Sequence, residues 1–529
     1  MTWIKKNLRW IAPVGLFMAW SVLLSAMLGK DQFCDEFDNY VGGMVVVAGG
    51  DIYREFISQH MPLMYYLCAI FRLMGVSSIF VYRMMFYLVL ALLWTILYVR
   101  YRKDVGTVTM LAFPLIYMFQ MNGIATCASA IADQLQAQGF AILLLEYLRY
   151  VKYKRFDTKA CCWLMLGGLL TLGTAFVSAY SLLFFGVGML LLRIVWNIQE
   201  KRPLAEATKD TACQFAKAGL WVIAPFVLLI AWYAISGNLA NFIKGAYTVN
   251  TEVYSKYTGG FGTDKLAPFF KCFSGYAKQI TRLFTSPWNR ASAYFAAQLL
   301  GTLGFLLLLF RKDKLAPLPL IPAIVMNGIR GFQGFHSLGY FGLCAVMLAY
   351  CLQQSLEWLR GKKLRWAGVP MLAASLACCV VLGWDFPAQM PEILNVPEHL
   401  TTDMSAGMYP YALQTLTEPD EPIHVTTLNN NLYIDADRQP LYSAPSTVPW
   451  MWEVYGDEEM RRLRENPPKV IFFSEDYSVW GYLQQEYAPE LCAFIAEMYT
   501  PLSDYNEDML SMYIRNDYWD EALERMGYV

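Results

Sequence analysis

Residues 31–40 read DQFCDEFDNY, which sets Asp31, Asp35, Glu36 and Asp38 within eight positions, with Asp51 and Glu55 close behind. The sequence around them is almost wholly apolar. Carboxylates crowded in such surroundings repel one another and are costly to desolvate, so they suit proton transfer, cation binding or recognition of a polar ligand. Further along stand His60 and Arg83, then Asp133, then Arg330 and His336 within GIRGFQGFHSLGY. Each also has a plain structural reading. Asp51 reads as the cap of a short helix beginning near Ile52, and Asp133 as the cap of an apolar helix. His60 reads first as a cap of the helix that follows it. Arg83 inside an apolar run needs a counter-charge, and a carboxylate of the acidic stretch is the natural one. The glycines around Arg330 and His336 let backbone approach a ligand. The run Asp35-Glu36-Phe37-Asp38 has no spacing diagnostic of a metal, so a divalent ion stays open.

The elements that hold these residues are mostly membrane-like. Of 529 residues, 56% are hydrophobic and 16% charged, against roughly a quarter charged in soluble proteins. Apolar runs of spanning length recur near 10–29, 79–99, 106–122, 135–151, 160–176, 178–196, 216–236, 291–310, 316–329, 338–357 and 367–384. About twenty residues at ~1.5 Å rise cross a bilayer core. This predicts a mainly α, polytopic membrane protein of about eleven transmembrane helices. The 316–329 run is short and Pro-rich, and the pair 160–176 and 178–196 also reads as one re-entrant hairpin. A run from about 61 to 75 is too short to span and reads as a juxtamembrane helix in the first outer loop. The first apolar run lacks a small-x-small cleavage site and reads as a retained anchor.

Charge orients this scheme. Lys5/Lys6/Arg9, Arg100/Arg102/Lys103, Arg149/Lys152/Lys154/Arg155, Lys201/Arg202, Arg311/Lys312/Lys314 and Arg360/Lys362/Lys363/Arg365 fall on one side of an eleven-span path. The positive-inside rule makes that side cytoplasmic. The N-terminus is then inside, while loop 30–60, loop 237–290, all four histidines and the C-terminal segment are outside. Loop 237–290 breaks the rule with seven Lys+Arg against Glu252 and Asp264. Either it meets an anion such as a phosphate, or it contacts the acidic tail.

The chain divides by charge. Residues 1–384 carry 35 Lys+Arg against 17 Asp+Glu, and residues 385–529 carry 7 against 26. We therefore expect a membrane domain over 1–384 and an acidic extracytoplasmic domain over 385–529. PPKVIFFSED (467–476) predicts a buried strand, 423–435 a second, and 457–465 and 519–526 helices. The expectation is a small α/β or α+β domain. Twelve scattered cysteines predict no disulfide framework. No Walker or dinucleotide fingerprint occurs, which argues against an ATP-driven pump, and no nucleic-acid partner is expected.

The first outer loop, DEFDNY followed by AGGDIYREFISQHMPLMYY, resembles that of polyprenyl-phosphate-dependent glycosyltransferases of the GT-C superfamily, in the protein O-mannosyltransferase and aminoarabinose transferase branches. The matching features are Asp35-Glu36, Tyr40, Gly50 to Tyr53, and His60 with Pro62. The match is close over about 35 residues, and elsewhere only the architecture is similar.

The resemblance implies an inverting transfer of a sugar from a polyprenyl-phosphate carrier to an envelope acceptor (protein, lipid or glycan) at the outer face of the plasma membrane. It makes Asp35 the base that takes the acceptor proton and Glu36 its supporting carboxylate. Asp38, Tyr40, Tyr53, His60, Arg83, Asp133, Arg330 and His336 become candidates for binding substrate or lipid phosphate. No cofactor is required beyond a possible divalent metal. Other readings are a secondary transporter or lipid flippase, a polymerase or ligase of another family that uses lipid-linked sugars, and a membrane scaffold whose tail binds partners.

Overall fold

The computed structural model describes residues 2–29, 33–123, 128–257, 267–287, 289–330, 334–361, 365–384, 386, 408–441, 447–504 and 511–528. Helices dominate. They are α1 (Thr2–Ser25), α2 (Cys34–Val47), α3 (Leu63–Leu73), α4 (Ile79–Val105), α5 (Thr107–Gly123), α6 (Ala132–Tyr153), α7 (Thr158–Leu172), α8 (Ser178–Gln199) and α9 (Leu204–Ile235). After them come α10 (Leu239–Ile243), a π-helix at Lys244–Val253, α11 (Tyr254–Tyr257), α12 (Ala267–Thr285), α13 (Arg290–Lys312), α14 (Leu320–Met326), α15 (Leu338–Arg360) and α16 (Arg365–Leu382). Among the described residues, five helices are long and apolar enough to cross a membrane: 79–105, 178–199, 204–235, 290–312 and 334–360. The 316–329 run contains only the seven-residue α14, and α7 and α8 form two separate helices.

The chain forms two compact units. The first comprises residues 1–31, 86–231 and 266–394. Its centre is α15, buried along most of its length between α5, α6, α13 and α16. The α6–α15 crossing depends on Gly342, where a Cβ would stand 2.2 Å from the Ala137 carbonyl oxygen. Several polar groups inside this bundle pair with each other, which low-dielectric surroundings reward. Gln138 accepts from the Trp94 indole at 2.8 Å, and Gln298 donates to Gln120 at 2.9 Å. At one end the basic clusters meet through shared acids. Arg149 donates to Asp104 (2.7 Å), Asp157 (2.8 Å) and Glu146 (3.2 Å). Lys154 and Arg202 both reach Glu200, at 3.1 and 2.8 Å.

The second unit comprises residues 32–85, 232–265 and 395–529. Its tail holds a mixed four-stranded sheet in the order β1-β2-β6-β5, from β1 (His424–Val425), β2 (Val470–Phe472), β5 (Tyr499–Pro501) and β6 (Met512–Arg515). β1 runs parallel to β2, and the remaining pairs are antiparallel. A separate hairpin joins β3 (Ser478–Val479) to β4 (Tyr482–Leu483). The expected strand at 470–472 and the helices at 457–465 and 519–526 are present. The 423–435 segment is only two residues of strand, followed by a helical turn at Asn431–Asp435.

The tail core does not stop at the tail. Ile57 from the first loop and Val249 and Val253 from the π-helix are buried in one cluster with Val448, Trp450, Met451, Tyr455 and Val479. Three segments far apart in sequence therefore share one core.

Candidate functional site

The acidic stretch is a helix. α2 begins after extended Phe33 and carries Asp35 and Glu36 in its first turn, where the positive end of the helix dipole favours them. Gly42, Gly43 and a run of valines weigh against helix by propensity. Packing overrides this. A Cβ at Gly43 would sit 2.7 Å from the Cys68 Cβ and 2.8 Å from the Ala69 nitrogen, so the glycine is what lets α2 lie on α3.

The helical spacing sorts the acids onto two faces. Glu36 is fully buried and pairs with Arg83 of α4. The guanidinium donates from Nε to Oε1 at 2.7 Å and from a terminal nitrogen to Oε2 at 2.6 Å. The Tyr40 hydroxyl adds a third bond to Oε1 at 2.9 Å, and its ring stacks on Tyr82 at 4.2 Å. Arg83 thus has the loop carboxylate its burial calls for. Glu36, Tyr40 and Arg83 form a buried clamp between α2 and the start of α4, with no surface for a substrate at Tyr40 or Glu36.

Asp35 and Asp38, three residues apart, share the other face. Both are half-buried. Burial, then the neighbouring Asp35 charge, pushes the Asp38 carboxyl well above the usual carboxylate range, while a hydrogen bond from Asn430 of the tail pulls the other way. Tyr65, Tyr433 and Tyr477 each feel the Asp38 charge. Tyr65 is fully buried and bonded to Ser58. Cys34 lies beside both acids, and burial raises its thiol. The site is therefore one carboxyl held toward its neutral form beside a second one, between α2, α3 and the tail.

The remaining expected residues divide. Tyr53 is buried at a positive φ of 74° and donates to the His60 carbonyl at 2.6 Å, so it fixes the 51–60 loop from inside. No helix starts at Ile52. The Asp51 backbone carbonyl instead accepts from the Arg54, Glu55 and Phe56 amides in a tight turn, while its carboxylate pairs with Arg54 at 3.2 Å. His60 is half-buried at the bend two residues before Pro62, which caps α3 in its place. Asp133 is buried in the first turn of α6, and Ile131 is the cap residue there, so Asp133 acts by charge near the helix start. His336 lines a small polar cleft of the first unit with Gln136, Ser178, Ser181 and Asn327. The backbone of Arg330 ends a 3₁₀ turn, and its side chain, like Asp31, lies outside the described residues. Among the described residues, no group of three His, Cys, Asp or Glu could hold a metal ion.

Loop 237–290 contributes contacts to the tail. Lys256 pairs with Glu453 at 2.5 Å, and Lys244 lies 4.1 Å over the Tyr455 ring and donates to the Val454 carbonyl. Sequence reasoning missed Asn430, Tyr433 and Tyr477, which lie some 390 to 440 positions from Asp38 and carry no local signal. No protein-family model matches this chain, and no curated protein matches it.

Proposed function

We propose that this protein is a plasma-membrane glycosyltransferase of GT-C type, with about eleven spans, moving a sugar from a polyprenyl-phosphate carrier to an envelope acceptor on the outer face. The observation that carries the reading is the Asp35–Asp38 pair on α2, with one carboxyl shifted toward its neutral form beside the other and Glu36 locked to Arg83 behind them. A carboxyl shifted toward its neutral form beside a second carboxyl is an arrangement that suits general base chemistry. In this reading Asp35 takes the proton of the acceptor hydroxyl as its oxygen bonds to the anomeric carbon. The bond from that carbon to the phosphate oxygen breaks, and the electron pair leaves with the lipid phosphate. Inversion follows from attack opposite the leaving group.

Two packing facts support the sidedness. Residues 32–60, residues 237–257 and the tail from 395, all assigned outside by charge, belong to one compact unit. Three of the six basic clusters assigned inside, those at 100–103, 149–155 and 201–202, share Asp104, Asp157 and Glu200 in the other unit.

The test is mass spectrometry of envelope glycans and glycoproteins from cells lacking the protein, complemented with wild type or Asp35→Asn. Loss of a sugar on deletion, restored by wild type and not by a normally folded Asp35→Asn, is the expected result. Restoration by Asp35→Asn would remove Asp35 as base, and unchanged glycans on deletion would end the transferase reading.

A further inference from the structure

The tail carries an aromatic surface with no part in the chemistry at Asp35. The β3–β4 hairpin turns on two residues, Trp480 and Gly481, both at positive φ (52° and 88°). Such two-residue turns call for Asn, Asp or Gly at these positions. A tryptophan there works against its backbone preference, and residues held this way mark sites where the side chain is wanted. Trp480 is 57% exposed. One face of its indole stacks on buried Trp450, with centroids 4.6 Å apart and planes 26° apart. Tyr254 edges onto Trp450 at 5.0 Å and tilts against Trp480 at 5.8 Å. Tyr257 meets exposed Tyr482 at 5.2 Å, and its hydroxyl donates to Glu453 at 2.9 Å. Glu475, Asp476, Gln485 and Glu486 stand exposed around the hairpin.

The ring geometry selects among ligands. A quaternary ammonium ion needs a box of open ring faces. Here the rings fill one another's faces, and Trp480 offers a single flat one. An anionic bilayer or a nucleic acid would face a hairpin flanked in sequence by exposed Glu475, Asp476 and Glu486, while Lys256 beside the cluster is already paired with Glu453. A neutral sugar fits both features, laying its C–H face on the indole and giving its hydroxyls to carboxylate and amide acceptors at the rim.

We propose that the Trp480–Trp450 platform is a binding site for a neutral oligosaccharide, whichever reaction the Asp35 site performs. The test is isothermal titration of the purified full-length protein with chitopentaose, cellopentaose and mannopentaose. At least one sugar should bind, and Trp480→Ala should weaken it about tenfold or more. Trp480→Asn separates binding from folding. Asn suits the turn, so the hairpin should be at least as stable while sugar binding falls. The proposal is overturned if none of the three sugars binds, or if Trp480→Asn binds them as wild type does. A sugar-binding chain with no transfer activity would refute the transferase reading and leave this site standing.

Discussion

Replacing Glu36 and Arg83 together should cost the fold far less than the two single replacements add up to. Their side chains are 0% and 3% exposed and joined by bonds of 2.6 and 2.7 Å. At an effective dielectric of about 20, opposite charges ~4 Å apart attract by ~4 kcal/mol. Deleting one partner forfeits that attraction and leaves the other charge buried, a loss of ~3–5 kcal/mol. In Glu36→Gln the Tyr40 hydroxyl keeps an oxygen to donate to, so the damage reports the charge and not the shape. Glu36→Gln with Arg83→Met leaves no unpaired charge and should cost well below the sum of the singles. The expected coupling is ~2–4 kcal/mol, read from SDS-unfolding equilibria of the purified protein in mixed micelles by a double-mutant cycle. A coupling below ~0.5 kcal/mol would refute the claim that this pair ties α2 to α4. Asp35→Asn, on the other face of α2, should leave the pair and its coupling intact.

Other consequences are equally open to measurement. Asp38 has a raised proton affinity in the fold, so its stabilising contribution is complete below the unfolded value near ~3.9 and is lost as pH rises through the folded value. Asp38→Asn should therefore match wild type near pH 4 and become the more stable protein toward pH 8; equal midpoints at both pH values would count against the shift. Asn430→Ala removes a donor that lowers the Asp38 value, so it should lose stability at pH 8 more than at pH 4, and show no such pH dependence in an Asp38→Asn background. Gly43→Ala should destabilise by ~1–3 kcal/mol, because the new methyl meets α3 backbone that cannot swing aside; a neutral thermal midpoint would show that α2 and α3 can separate. Lys256→Ala should change stability by less than ~1 kcal/mol, since its bridge to Glu453 is largely exposed.

What the sequence made legible follows from which forces act locally. Apolar length marks helices, and a helix stands wherever an apolar run was expected to span, though at 316–329 it is only seven residues. Arg83 announced its own need for a counter-charge, because an arginine in an apolar run has few other outlets. The identity of the partner did not follow, since four acids stood within reach and the choice depends on how α2 is rotated against α4. The helical state of residues 34–47 was hidden by Gly42, Gly43 and valines, which propensity scores against helix and close packing rewards. Asp51 and Asp133 misled for a common reason. An acid before an apolar run reads as a cap, yet the cap is whichever residue the backbone leaves extended, and at α6 that is Ile131. Asn430 and Trp480 depend on contacts between distant segments, which no local pattern reports.

The two-faced arrangement of α2 has a physical logic that bears on the proposed chemistry. Successive helical residues turn by about 100°, so Asp35 and Asp38 face one way while Glu36 faces another. A base near a membrane must be held in place, yet ion-pairing it directly would lower its basicity. Using the adjacent Glu36 for the clamp avoids that conflict, since Arg83 fixes the helix through a carboxylate that is not Asp35. Asp38 then acts on Asp35 in a second way. A raised Asp38 proton affinity lessens the like charge on the shared face, and Asn430 of the tail pulls that affinity the other way. The C-terminal segment thus reaches the acidic helix by a hydrogen bond as well as by the shared core of Ile57, Val249 and Trp450. Removing the tail would therefore change the proton affinity at the acidic helix as well as expose apolar surface. It follows that the proposed transfer chemistry and the folding of the C-terminal segment cannot be separated by truncation, only by substitutions such as Asp35→Asn and Asn430→Ala.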